Sequence, residues 1–248
     1  HAVIWPAMLM AAGIEIPKKV FAHGWLLVGG EKMSKSKLTG IAPSDITDHF
    51  GVDAFRYYFL RAIPFGSDGS FSWEDMSARY TSELANDFGN LASRLAAMIE
   101  KYCGGKIPAV AKDATLAQSL QETVEKADKA MVALDFQGGI NAVMDYCKQV
   151  NGFVTIKEPW ILAKDPANQA VLEEVLYNTA ESLRALAVLL HPVMPATTEI
   201  LWESLGAKAS LGEIGKQEIS KVATWGQLPQ GATVTKTPVL FPRLEVKE

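Results

Sequence analysis

Gly29-Gly30-Glu31-Lys32-Met33-Ser34-Lys35-Ser36-Lys37 divides this sequence of 248 residues into two parts of different character. Before it, the apolar and aromatic run from Val20 to Val28 follows the turn signal Ile16-Pro17-Lys18-Lys19 and predicts a buried strand. Two glycines then free the backbone, and three lysines within six residues place several cations on one loop, which continues to about Gly40. Such a loop is able to clamp a polyphosphate. It is not a P-loop, because the Gly-x4-Gly-Lys-Ser/Thr spacing is missing and no helix begins at the lysines. By charge alone the stretch also reads as a solvated, lysine-rich turn.

Upstream, His1 to Ala12 reads as an apolar helix interrupted by Pro6. Downstream, Ser44-Asp45-Ile46-Thr47-Asp48 offers an N-cap with acid in the first turn, and Asp53 to Ile63 repeats apolar residues at helical spacing until Pro64. Ile63 to Ser72, with Pro64, Gly66 and Gly69, is the expected boundary. Beyond it the pattern predicts long helices at about Trp73 to Tyr102, Ala114 to Leu134, Phe136 to Thr155, Pro166 to Leu190 and Val193 to Leu205. Their short connections predict an antiparallel bundle. From Gly206 periodicity is lost, and the tail reads as irregular with a short strand at Pro238 to Phe241.

Composition sets bounds. With 48% hydrophobic and 21% charged residues, a chain of this length buries a core unaided, and disorder is excluded as its main state. Cys103 and Cys147 lie 44 residues apart with no His or Cys at metal-ligand spacing, so neither a disulfide framework nor a zinc site is indicated, and a reducing, cytoplasmic protein is expected. No apolar run reaches the roughly 18 residues of a membrane span, and no signal peptide is recognisable. The opening on His1 without a methionine is expected of a fragment or a processed product.

The net charge of −4 is unevenly divided: residues 1–64 hold seven Lys and Arg against five Asp and Glu, and the remainder 17 against 23. An acidic helical part does not hold nucleic acid by general attraction to phosphate. Any recognition there must come from a small patch that reads bases. At about 100° per residue, Leu84, Phe88, Leu91, Leu95 and Met98 form an apolar stripe, with Asn86, Asn90 and Arg94 stepping by four along the opposite side. A line of this kind is ordinarily a solvated face, yet Asn and Arg carry the planar donor and acceptor sets that match base edges.

Lys32-Met33-Ser34-Lys35-Ser36 is the signature pentapeptide of class I aminoacyl-tRNA synthetases. His1-Ala2-Val3-Ile4-Trp5-Pro6-Ala7-Met8-Leu9 and Ala22-His23-Gly24-Trp25 resemble the segments that precede it in methionyl-tRNA synthetases. Asn86-Asp87-Phe88-Gly89-Asn90-Leu91-Ala92-Ser93-Arg94 resembles that family's anticodon helix, and Glu158-Pro159-Trp160 its Pro-Trp partner. The likeness runs to about Leu205, with a weaker match at Pro238 to Arg243.

This resemblance implies ATP-dependent activation of L-methionine to methionyl-adenylate, then transfer to tRNA(Met), with Mg²⁺ accompanying ATP. It assigns Lys35 and the supporting Lys32 to catalysis through charge on the departing pyrophosphate. Met33, Ser34, Ser36, His23 and Gly24 join them in binding ATP, and His1 and Trp5 line the methionine pocket. Those two would share a helical face if the helix ran through both; spacing alone equally fits an aromatic pair in a core. Asn86, Asn90, Arg94, Pro159 and Trp160 bind the anticodon, Trp160 as a platform for an unstacked base. Taken alone, Trp160 also fits an ordinary core tryptophan at a helix start, and His23 a strand histidine satisfied in the interior.

The implied fold is mainly α. Residues 1–64 form the end of a Rossmann-like catalytic fold with the lysine loop and a stem-contact segment, 65–205 an anticodon-binding bundle, and 206–248 a tail packing back on the catalytic part. The His-x-Gly-His signature of class I enzymes, the zinc knuckle of many relatives and an appended dimerisation domain do not occur in this sequence. The expectation is therefore the C-terminal portion of a methionyl-tRNA synthetase, inactive without the N-terminal half of its catalytic domain, monomeric and without zinc. The alternatives are another class I synthetase or a non-catalytic tRNA-binding fragment.

Overall fold

A computed structural model describes residues 1–28 and 40–244, together with the backbone of Glu31 and Lys32. Its first helix, α1 (Ile4–Ala11), begins three residues later than expected, so Pro6 falls in the first turn, where its missing N–H costs nothing. The strand predicted from Val20 is short. Only β1 (Leu26–Val28) is extended in a ladder, antiparallel to β2 (Glu31–Lys32) and parallel to β3 (Gly69–Phe71), in the order β2-β1-β3. β3 lies inside the stretch expected to be an irregular boundary. It pairs Leu26 with Gly69 and Val28 with Phe71, and a parallel pair needs a long crossover.

Two helices supply that crossover, α2 (Pro43–Phe50) and α3 (Val52–Ala62). The expected N-cap at Ser44 is displaced: Pro43 occupies the first helical position, and the Asp45 carboxylate accepts the Ala42 N–H at 2.9 Å. α3 docks the front of the chain onto the helices behind it. Its buried Asp53 accepts the Thr197 N–H at 2.6 Å, and Arg56 donates to the carbonyls of Val193 and Pro192 at 2.9 and 2.7 Å.

The predicted helix from Trp73 to Tyr102 is continuous but not uniform. It consists of α4 (Trp73–Arg79), a wide-turned π segment (Tyr80–Gly89) and α5 (Asn90–Cys103). The buried side chains of the wide segment recur every four, at Tyr80, Leu84 and Phe88, with Gly89 also buried at its end. At about 3.6 residues per turn this spacing would drift round the helix by about 40° a step; the wider turns of this segment counter that drift.

The bundle follows as α6 (Ala114–Val132), α7 (Phe136–Lys157), the single turn α8 (Pro159–Leu162), α9 (Gln169–Leu190) and α10 (Pro195–Ser204). Asp113 and Asp135 cap α6 and α7 by accepting the N–H groups of Leu116 and Gly138. α9 is buried on nearly every side from Leu172 to Leu190 and packs against α5, α7 and α10.

The tail is more ordered than its sequence implied. It contains α11 (Ala207–Leu211) and α12 (Ile219–Val222), and an isolated antiparallel bridge joins Thr233 to Lys106. The strand expected at Pro238 to Phe241 is absent. Instead Phe241 is buried edge-on against Tyr80 at 5.7 Å, whose hydroxyl donates to the Pro242 carbonyl.

Candidate functional site

Asn86, Asn90 and Arg94 are all exposed, and Leu84, Phe88, Leu91 and Leu95 behind them are buried, with Met98 partly so. The ladder therefore presents one side to solvent across the junction of the π segment and α5, as the stripe pattern predicts. Support for the wide turn comes from residues that pattern does not reveal. Glu83 accepts from the Tyr57 hydroxyl, from Arg61 at 3.3 Å and from Arg79 at 3.1 Å. Burial and the Glu83 carboxylate push the Tyr57 phenol far above its ordinary range, so it stays a donor. On the other side, Asn151 of α7 donates to the Asp87 carbonyl at 2.9 Å. Burial also raises the Asp87 carboxyl, against the pull of Lys148.

Trp160 reaches the ladder by way of a sharp reversal. Glu158 ends α7 in the left-handed region, with φ 46° and ψ 57°, a conformation costly for any residue with a Cβ. Its carbonyl receives the N–H groups of Ile161 and Leu162, and buried Pro159 takes the first position of α8. The half-buried Trp160 ring then lies 5.4 Å from the Arg94 guanidinium, a cation–π contact across two elements far apart in sequence. The signal for the reversal was present in sequence, since a residue before proline is pushed out of the α region; its left-handed outcome was not.

The front of the chain is placed differently. Because α1 starts at Ile4, His1 lies outside it and forms no helical pair with Trp5. His1 is exposed, as are Trp5, Met8 and Met10 at 51%, 58% and 69%. His23 is also exposed and not satisfied in a strand interior: its Nδ1 lies 2.7 Å from the Gly24 carbonyl. Gly24 has a packing reason, since a Cβ there would stand 2.1 Å from the Ser67 backbone. Both line a small apolar cavity of about 170 Å³ with Trp25, Phe59, Phe65 and Phe136. On the other side of β1, Lys32 is paired in register with Leu27. Met33, Ser34, Lys35 and Ser36 lie outside the described residues.

Among the described residues no group of three or more His, Cys, Asp or Glu could hold a metal ion. No helix among them is long and apolar enough to cross a membrane.

Comparison with known proteins accounts for the whole chain. Residues 1–96 match the family model described as tRNA synthetases class I (M), and residues 113–230 that of the anticodon-binding domain of tRNA ligase. The methionine–tRNA ligase of Streptomyces coelicolor is 61% identical over 254 aligned positions, covering 100% of this chain and 47% of that protein. The Bacillus subtilis methionine–tRNA ligase is 42% identical, with 100% and 37% covered. The structure of Mycobacterium tuberculosis methionyl-tRNA synthetase bound by methionyl-adenylate superposes with a TM-score of 0.85 at 34% identity, over 98% of this chain and 47% of that one. The chain thus spans about half the length, or less, of the curated relatives it matches.

Proposed function

The chain belongs to the methionyl-tRNA synthetase family, and on that premise we propose that it supplies the lysine loop and the anticodon-reading surface of a methionine–tRNA ligase. The complete enzyme would activate L-methionine with ATP and transfer it to tRNA(Met). The observation that carries this reading is the Arg94–Trp160 contact, which joins an exposed Asn-Asn-Arg ladder to an aromatic ring. An anticodon base needs that pairing of planar hydrogen-bonding groups with a stacking platform.

Charge fits the same division of labour. The slightly basic residues 1–64 handle phosphate, while the acidic 65–205 bundle reads splayed bases through a local patch, and the tail from 206 returns to Tyr80. Lys35 meets the departing pyrophosphate with Lys32 beside it, and Met33, Ser34, Ser36, His23 and Gly24 surround the nucleotide. His1 and Trp5 contribute to the methionine pocket. Support for this placement comes from α1, whose exposed Ile4, Trp5, Met8 and Met10 are more apolar surface than one helix ordinarily leaves in water; the rest of the catalytic fold would cover it. A monomeric, cytoplasmic enzyme is proposed.

The test is binding of the chain to an RNA hairpin presenting the methionine anticodon CAU, against the same hairpin carrying CUA, by fluorescence anisotropy. At least a tenfold preference for CAU is expected. Equal affinity for the two would overturn the reading.

A further inference from the structure

The Asn86–Arg94 ladder and Trp160 sit on different helices, so one RNA loop can meet both only if those helices hold a fixed relative placement. One side chain ties them together. Asn151, about two turns before Glu158 on α7, donates from Nδ2 to the Asp87 carbonyl at 2.9 Å and to the Cys147 carbonyl of its own helix at 3.1 Å. Asp87 stands in the last wide turn, between Asn86 and Asn90. An α-helical turn in that place would shift register by one residue, rotating Asn86 by about 100° relative to Arg94. The Asn151 amide thus meets the backbone where the ladder's register is set, while its own helix ends in the reversal that places Trp160.

We propose that Asn151 is a positioning residue for base recognition, fixing the wide turn that aligns Asn86, Asn90 and Arg94 with Trp160. This rests on the anticodon reading above. Asn151 itself touches no base: its side chain is only partly exposed, and its amide is directed at two carbonyls.

The experiment measures the CAU and CUA hairpins against wild type, Asn151→Ala and Trp160→Ala, with urea unfolding of each protein alongside. For Asn151→Ala the ratio of the two affinities should fall about tenfold, equivalent to about 1.4 kcal/mol, while the urea midpoint stays near wild type. An unchanged ratio would overturn the proposal. So would an equal weakening of both hairpins, because a merely loosened bundle loses affinity without losing discrimination. Should Asn151→Ala unfold, the isosteric Asn151→Asp, which lacks the donor, is judged by the same ratio. Trp160→Ala separates the two levels. If it retains the full CAU preference, the anticodon reading itself fails, whereas collapse with Trp160→Ala and none with Asn151→Ala removes only the positioning role.

Discussion

The Arg94 guanidinium lies 5.4 Å from the centre of the Trp160 ring, joining two elements 66 residues apart. One face of the indole is therefore supported by a cation while the ring remains half-exposed. Removing the ring in Trp160→Ala should cost about 1–3 kcal/mol of hairpin binding, the usual worth of a base–aromatic stack, or roughly 5- to 150-fold in Kd. Trp160→Phe, which keeps a π face, should retain most of that affinity. Anisotropy titrations decide it, and equal binding by Trp160→Ala and wild type would assign the ring to packing alone.

Lys35 carries a different prediction, because its role concerns phosphate and not RNA. In the full-length enzyme, Lys35→Ala should slow methionine-dependent pyrophosphate exchange by about 10²–10³, as for loss of one transition-state donor. Binding of the CAU hairpin should be unaffected. Normal exchange with this variant would remove the lysine loop from the chemistry.

What the sequence disclosed and what it withheld follow one physical divide. The helices Ala114–Val132 and Gln169–Leu190 were legible because their apolar residues repeat locally. The Asn86–Arg94 ladder and Pro159-Trp160 were legible because they match motifs. β3 was not, since Gly69-Ser70-Phe71 becomes a strand only by pairing with residues more than forty positions away. The wide turn at Tyr80–Gly89 was hidden because a helical pattern is read at a uniform rotation of about 100° per residue, and it is Tyr57 and Arg61 on its own Glu83, and Asn151 on Asp87, that support it from outside. The order of the tail came from buried polar contacts with α9, which leave no periodic trace.

The two cysteines permit a test by pH. Burial pushes the Cys103 thiol up to about 11 and Cys147 to about 12. At pH 8 about one Cys103 in a thousand is then the reactive thiolate, so an aromatic disulfide reagent should react slowly with the native chain and release two thiols in urea. The linkage has a definite sign. A thiol raised on folding contributes stability that is present below the ordinary value near 9 and lost as pH rises toward 11 and 12. The urea midpoint should therefore drop between pH 8 and 10.5, and less steeply in Cys103→Ala; identical slopes would mean the thiol is accessible in the folded state.

The Glu181–Arg184 pair is fully buried, and a buried ion pair is by itself weak evidence of stability. Here the carboxylate does more than balance a charge. Its Oε1 accepts the Gly226 and Gln227 N–H groups at 3.1 Å each, and its Oε2 the Leu228 N–H at 2.9 Å. Arg184 meanwhile donates to the Val222 carbonyl at 2.8 Å. The single change Glu181→Ala should destabilise the chain by about 3–5 kcal/mol, the loss expected when one buried partner is removed. The double change Glu181→Leu with Arg184→Met separates two explanations. For a simple ion pair, apolar replacement of both partners is often neutral or stabilising. With three backbone N–H groups deprived of their acceptor, at about 1–3 kcal/mol each, the double variant should remain several kcal/mol less stable than wild type in urea. Recovery to wild-type stability would show that Glu181 is only a counter-ion, and that the turn at residues 226–228 is held by other contacts such as the Tyr177 hydroxyl on the Leu228 carbonyl.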